Sequence, residues 1–371
     1  MLAVQGVRMP DGGQVDEQER ALAAFYADAD RLGLAPLWTQ TAELMPVVPS
    51  PQAKPHVWRW HDLLPVLTNA GRLVPVGRGG ERRAMALANP ALRPLPYATP
   101  TLWAAIQYLG PGEVAPSHRH SQGAFRFVLE GGGAWTVVDG DPVAMRPGDL
   151  LLTPGMAWHE HHNPGTGPMV WLDGLDIPLV RELDAGFFEP GADTIVDRAT
   201  PARSRSERLW GHAGLQPLAI GEQGEDVWPQ PGRSPLVVYR WEDTDAALTA
   251  QAELASEADA ARLGRGHVGV RFLNPATGRD ALPTMRLEVH RLLGGGTVPP
   301  ARHAGSAVWQ VVHGSGTVEM DGLAADLAMH DVVAVPSWAR CAFSSDAGMD
   351  LVVFSDAPVY EALHLDRAAF G

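Results

Sequence analysis

Five of the chain's 14 histidines fall between positions 118 and 162. His118 and His120 sit two apart in PSHRHSQ, so on a strand both rings face one side. His159 follows in WHEHHN, behind a Gly-Asp turn and another apolar run. Three imidazoles from two strands of one barrel can form one face of a metal's coordination sphere. Imidazole suits zinc, copper, nickel and iron alike, so these side chains alone name no metal. An isolated H-x-H also reads as two satisfied loop histidines, and it is the third histidine inside a strand pattern that favours a metal. His161 shares the parity of His159 and reads either as a group supporting a ligand or as a polar strand end. His162 is expected to point outward and Glu160 to be solvated.

Parity extends the reading. If the strand continues unbroken from His118, its inner face also carries Ala124, Arg126 and Val128. An arginine inside a packed barrel needs an anionic partner, either a bound carboxylate or a neighbouring acid. The alternative is a surface pair with Glu130. In LWAAIQYL, Trp103, Ala105 and Gln107 share one face, an aromatic wall and an amide beside a small side chain. Trp103 reads equally well as plain core.

The elements that must position these residues are β-rich. The chain has 371 residues, 45% of them hydrophobic, with 40 glycines and 32 prolines. That length accommodates two ordinary domains, and that turn content favours strands over helices. A formal charge of -14 argues against a sequence-independent nucleic-acid surface. It leaves room for a small anion in a local arginine pocket. The single cysteine, Cys341, excludes an intrachain disulfide framework and a thiolate metal cluster. Residues 1–13 lack a secretory apolar run, and no stretch reaches the roughly 18 apolar residues of a membrane span. A soluble cytoplasmic protein is the expectation.

Residues 16–33 read as an amphipathic helix that ends on a glycine. Within residues 100–180, short apolar runs alternate with Gly, Pro, Asp and Asn turns, which suits an antiparallel sandwich or barrel. Residues 243–263 look like one solvated helix. The β pattern then returns over residues 283–356: GAWTVVDG (133–140) is echoed by GTVEMDG (316–322), and PGDLLLTPGMAW (147–158) by HDVVAVPSWA (330–339). Two copies of one small barrel are the simplest account. The expected segments are a helical and irregular arm (1–95), a metal-bearing barrel (96–182), a linker with helices (183–262) and a second barrel (263–371).

These residues resemble the cupin signature. Gly112, His118, His120 and Gly131 match its first motif, with Ala124 and Phe125 where an acidic ligand is usual; Gly148, Pro154, His159 and Asn163 match its second. HRHSQGAFRFVLEG, PGDLLLTPGMAWHEHHN and MVWLDGLDIPL resemble more closely the gentisate dioxygenase family, which includes salicylate and 5-substituted salicylate ring-cleaving enzymes. The resemblance implies an all-β bicupin with an N-terminal helical arm, Fe(2+) on His118, His120 and His159, and a homotetramer. Its substrate is a small 2-hydroxybenzoate, gentisate first and a salicylate second, cleaved with O2 between the carboxylate-bearing and hydroxyl-bearing carbons. It places substrate contacts at Arg126, at Arg82 in preference to Arg83, and at Trp103, Gln107, Ala84 and Ala105. His161 and Asp173 fall at supporting positions.

The loss of the acidic ligand fits this chemistry, because a neutral three-histidine site keeps a dication's full charge for an anionic chelator. In the second copy, counting from Gly296, the H-x-H slots hold Arg302 and Ala304, with His303 displaced to the other face and Cys341 in the third slot. Packing and oligomerisation are the role expected of that barrel. A zinc cupin isomerase and a metal-free binding cupin are the readings from other classes.

Overall fold

The structure, a computed structural model, describes residues 12–76, 83–191, 201–218 and 233–370. Two compact units divide at Ser50 and Pro51. The first holds the expected helix, Gly12–Arg31, and two short turns, Leu37–Thr39 and Thr41–Leu44. Trp38 stacks on Phe25 at 6.3 Å and its indole N–H donates to the Tyr26 hydroxyl at 3.1 Å.

The second unit is built on four antiparallel sheets, two for each barrel. The first barrel's six-stranded sheet runs Val238–Tyr239, Leu150–Thr153, Ala124–Glu130, Met169–Leu175, Trp103–Leu109 and Ala84–Ala86. Its five-stranded sheet runs Phe188–Pro190, Glu113–His120, His159–Asn163, Trp135–Val138 and Asp141–Ala144. The second barrel repeats this order. Its six-stranded sheet is His56–Trp58, Val332–Val335, Ala307–Gly314, Met349–Ser355, Arg286–Leu292 and His267–Arg271. Its five-stranded sheet is Leu323–Leu327, Gly316–Met320, Cys341–Ser345, Gly296–His303 and Ala368–Phe370.

Strand alternation divides the core into three. Even-numbered residues of Trp103–Leu109 (Ala104, Ile106) pack with Phe125, Phe127 and Leu172 against Val289, Val352 and Phe354 of the other barrel. Phe125 meets Phe354 edge-on at 4.9 Å. The alternate positions turn inward: Leu109, Val128, Leu151 and Trp171 fill the first barrel, and Val311, Val333, Phe343 and Leu351 the second.

The repeat includes a crossed clasp. Val57-Trp58-Arg59-Trp60 and Val238-Tyr239-Arg240-Trp241 are the same device, each an edge strand leading into a 14-residue helix, Trp60–Leu73 or Trp241–Leu254. The copy that precedes the first barrel pairs with the second, Val57 opposite Val333. The copy that precedes the second barrel pairs with the first, Val238 opposite Leu151. Each anchors on one aspartate. Asp331 accepts the Trp60 backbone N–H (2.7 Å) and Arg59 Nη1 (2.9 Å); Asp149 accepts the Trp241 N–H (3.0 Å) and Arg240 Nη1 (2.6 Å). Arg240 also binds Glu207 through Nε (2.7 Å) and Nη2 (2.8 Å), so residues 204–210 are tied to the same hub. At Gly148 (φ 86°) a Cβ would lie 2.7 Å from the Trp241 ring, so only glycine lets this helix close on the turn.

The expected single helix over residues 243–263 is two, Trp241–Leu254 and Glu257–Leu263, broken at Ala255. Ser256 opens the second with a capping box to Asp259, a local bond set that competes with helix continuation. The first is not merely solvated, since Thr244 and Leu248 are buried.

Candidate metal centre

His118 and His159 lie directly opposite each other on adjacent strands, and His120 closes the same strand as His118. The pairing slips between Ala115 and His118, at Pro116, which has no N–H to give the ladder. Each ring is fixed by its Nδ1. His118 donates to the Pro116 carbonyl at 2.8 Å, His120 to that of Gln122 at 2.9 Å and His159 to that of Ala157 at 3.0 Å. A carbonyl can only accept, so each Nδ1 carries a proton, and Nε2 is the nitrogen through which each ring can ligate. One ligand atom from each of the three lies within 4.8 Å of the others.

The residues fit a metal. Among the described residues, His159 Nε2 is buried without a hydrogen bond, a state native proteins avoid unless something else satisfies the atom. Burial, then Arg126 and the neighbouring imidazoles, holds His159 well below the ordinary histidine range, so the ring stays neutral as a ligand must be. Among the described residues no acidic side chain joins the three; Ala124 stands in that place on the sequence motif.

Arg126 faces this cluster from the opposing sheet. The strand does not run on from His120 as expected. It breaks at 121–123, and Ala124–Glu130 begins in the six-stranded sheet. Arg126 is 4% exposed. Its Nε lies 3.4 Å from Asp173 Oδ1 on the neighbouring strand, and its Nη1 donates to Thr153 Oγ1, so the surface pair with Glu130 is not formed. Burial pulls both partners toward neutrality: it lowers Arg126 and raises the Asp173 carboxyl to about 6 against the attraction of Arg126. A guanidinium keeps its proton in proteins, so the carboxyl is the group that shifts. His161 is buried 5.8 Å from His159 and 5.6 Å from Trp171, measured between ring centres, and its Nδ1 has no hydrogen bond.

The remaining expected residues are placed as follows. Gln107 is buried opposite Trp171, Ala105 opposite Asp173, and Ala84 opposite Gln107. Trp103 packs against Ala53, Leu92 and Tyr97 at the strand's end. Arg82 lies outside the described residues. Arg83 is buried and committed to Glu113 and to the Val74 carbonyl.

Glu160 and His162 lie on the outer face, as parity predicts for His162, but the expected solvation of Glu160 is not found. Both are buried and bonded to each other at 3.0 Å, with Trp135 stacked on His162 at 5.1 Å. The outer face of His159–Asn163 is therefore packed, and alternation alone could not reveal that. Phe188, stacked on His118 at 5.4 Å, and Thr153 were missed. The aromatic pair in FFEP, with no core of its own nearby in sequence, was the available signal for Phe188.

Register also corrects the second barrel. Gly295, not Gly296, corresponds to Gly112: their N–H groups bond the equivalent carbonyls of Ser345 and Asn163. The slots of His118, His120 and His159 are then filled by Ala301, His303 and Cys341, with Ala301 opposite Cys341 as His118 is opposite His159. His303 is in line with His120 and is not displaced.

Two jelly-roll barrels with a three-histidine cluster in the first define a bicupin, and a cupin domain profile matches residues 105–175. The chain is 58% identical to a gentisate 1,2-dioxygenase from Streptomyces sp. over 98% of its own length and 99% of the relative's. A 5-aminosalicylate 1,2-dioxygenase from Comamonas sp. is 34% identical over 96% and 91% of the two chains. A mutant salicylate 1,2-dioxygenase from Pseudoaminobacter salicylatoxidans, solved with gentisate, superposes with a TM-score of 0.89 at 50% identity over 94% of each chain. The chain belongs to the gentisate 1,2-dioxygenase family of cupin ring-cleaving oxidoreductases.

Proposed function

We propose that this enzyme holds ferrous iron on His118, His120 and His159 and opens the ring of gentisate between its carboxylate-bearing and hydroxyl-bearing carbons, giving maleylpyruvate. The observation that carries the reading is the convergence of three Nδ1-anchored imidazoles with a buried, unsatisfied His159 Nε2. Iron bound there would supply the redox partner that a closed-shell aromatic needs to react with triplet dioxygen.

The protein's own part is positioning. Arg126 offers a fixed cation beside the histidines for the substrate carboxylate, and Arg82 is our choice for a second. Asp173 and Thr153 hold Arg126 in place. His161 orients what binds beside His159. Gln107 and Trp103 border the ring, and small side chains at Ala84 and Ala105 leave room at its edge, which supports salicylate or a 5-substituted salicylate as the second reading.

Oxygen uptake by protein loaded anaerobically with Fe(II) tests this on gentisate, salicylate and 5-nitrosalicylate. Gentisate is expected to turn over fastest. A faster reaction with either salicylate selects the second reading, and no uptake by fully iron-loaded protein with any of the three overturns both.

No described helix is long and apolar enough to cross a membrane. We place the enzyme in the cytoplasm on its single cysteine. A homotetramer is supported by exposed Leu32, Leu34, Leu37, Trp38, Val47 and Val48 in the first unit, an apolar surface suited to another copy.

A further inference from the structure

The second barrel encloses a cavity of about 520 Å³, within the range of small-molecule sites. A barrel of this size either fills its interior with side chains or holds one ligand. Strand register identifies the cavity as the counterpart of the metal centre. Ala301, His303 and Cys341 line it at the three ligand positions. Trp309 stands where Arg126 does, Val353 where Asp173 does, His290 where Gln107 does and Glu288 where Ala105 does.

These exchanges invert the chemistry. The arginine that would meet a carboxylate is an indole, and a carboxylate, Glu288, has been added. Arg286, also on the lining, is saturated by Asp280 (3.0 and 2.9 Å) and Glu361 (2.7 Å at both nitrogens). Arg367 turns Nη1 onto the carbonyls of His364 and Asp366. A benzoate entering here would bury its charge beside an acid.

What the cavity does offer is an unsatisfied polar atom. His267 Nδ1 donates to the Leu263 carbonyl at 2.7 Å, so its Nε2 accepts from His290 Nδ1 at 2.8 Å. That leaves His290 Nε2 buried with no hydrogen bond among the described residues, 3.8 Å from Glu288 Oε2. Burial, then His290, pushes His267 down to about 4, so His267 is the neutral partner that accepts in this pair. Trp309 lies 5.0 Å from the His290 ring and 4.9 Å from Phe343, forming an aromatic wall beside the imidazole.

We propose that the second barrel binds an uncharged phenol, its ring against Trp309 and Phe343 and its hydroxyl hydrogen-bonded to His290 Nε2. The site has lost its cationic anchors and kept its space, so it takes the hydroxylated ring and refuses the carboxylate that the first barrel needs.

Calorimetric titration of the full-length protein with phenol, hydroquinone and benzoate tests the proposal. One phenol per chain is expected, bound at least tenfold tighter than benzoate and retained in a His159→Ala variant, which lacks the first-barrel site. His290→Leu and the cavity-filling Ala301→Leu should each weaken phenol at least tenfold. Phenol binding that disappears in His159→Ala, equals that of benzoate or is absent at millimolar concentration overturns it. Should the cavity variants fail to fold, crystals of the unaltered protein soaked in phenol decide: a ring beside Trp309 supports the site, and a ring in the first barrel alone overturns it.

Discussion

Arg126 and Asp173 face each other at 3.4 Å across adjacent strands, with both side chains about 95% removed from solvent. Burial of this kind makes a lone partner far worse than a missing pair. Asp173→Ala should therefore lower stability by about 3–5 kcal/mol, while Arg126→Met combined with Asp173→Leu should lose much less. Urea denaturation of the two variants checks this. Equal losses would show that the attraction itself, not the stranded charge, is what matters.

Metal and substrate should separate by mutation. His159→Ala is expected to lose the bound metal and turnover together, because it removes the buried Nε2 that has no hydrogen bond among the described residues. Arg126→Ala should keep its metal, since each ring is fixed through Nδ1 by a backbone carbonyl, and bind substrate at least tenfold more weakly, about 1.4 kcal/mol or more. Elemental analysis beside a substrate titration gives both readouts. Loss of metal from Arg126→Ala would remove the arginine from the role assigned to it.

Stability should fall with acid through His267. Its ring is held down to about 4, whereas in an unfolded chain it titrates near ~6.5. Between those values the unfolded state binds a proton that the native state refuses. The contribution is whole above about pH 6.5 and is lost as pH falls toward 4, up to about 2 kcal/mol of it by pH 5. Denaturant midpoints at pH 7 and pH 5 should drop further for the wild type than for His267→Gln. Equal drops would exclude this histidine as a cause.

The two clasps should differ in strength although they share a sequence. Arg240 is 4% exposed and bound to two acids, so Arg240→Ala should remove about 3–5 kcal/mol. Arg59 is 32% exposed and has a single acid, and Arg59→Ala should remove roughly 1–2 kcal/mol, the scale of one hydrogen bond to a charged group. Thermal denaturation of each variant ranks them, and a larger loss for Arg59→Ala would contradict the burial argument.

Much of the site was legible in the chain. H-x-H at strand spacing, a second motif ending in His159 and the echoed GD-turn phrases carry the metal position and the two barrels. Arg126 was placed inward by a parity count through a strand that in fact breaks at 121–123; the break happens to preserve the facing. Glu160 and His162 lie on the face that parity assigns them, but their burial is not legible, because alternation cannot say whether a sheet's second face is covered. The slots of the second barrel were miscounted by one because Gly294, Gly295 and Gly296 are interchangeable in sequence, and only the N–H bond from Gly295 distinguishes them. The Val-x-Arg-Trp repeat was visible and went unread, since its partners lie far along the chain.

The crossed clasp bears on how such a chain could arise and be taken apart. Each barrel is finished by the leader of its twin, the arrangement left behind when a homodimer that exchanged its leading segments is fused into one polypeptide. Cut between the barrels, neither fragment carries its own edge strand, so the halves should recover function only when synthesised side by side.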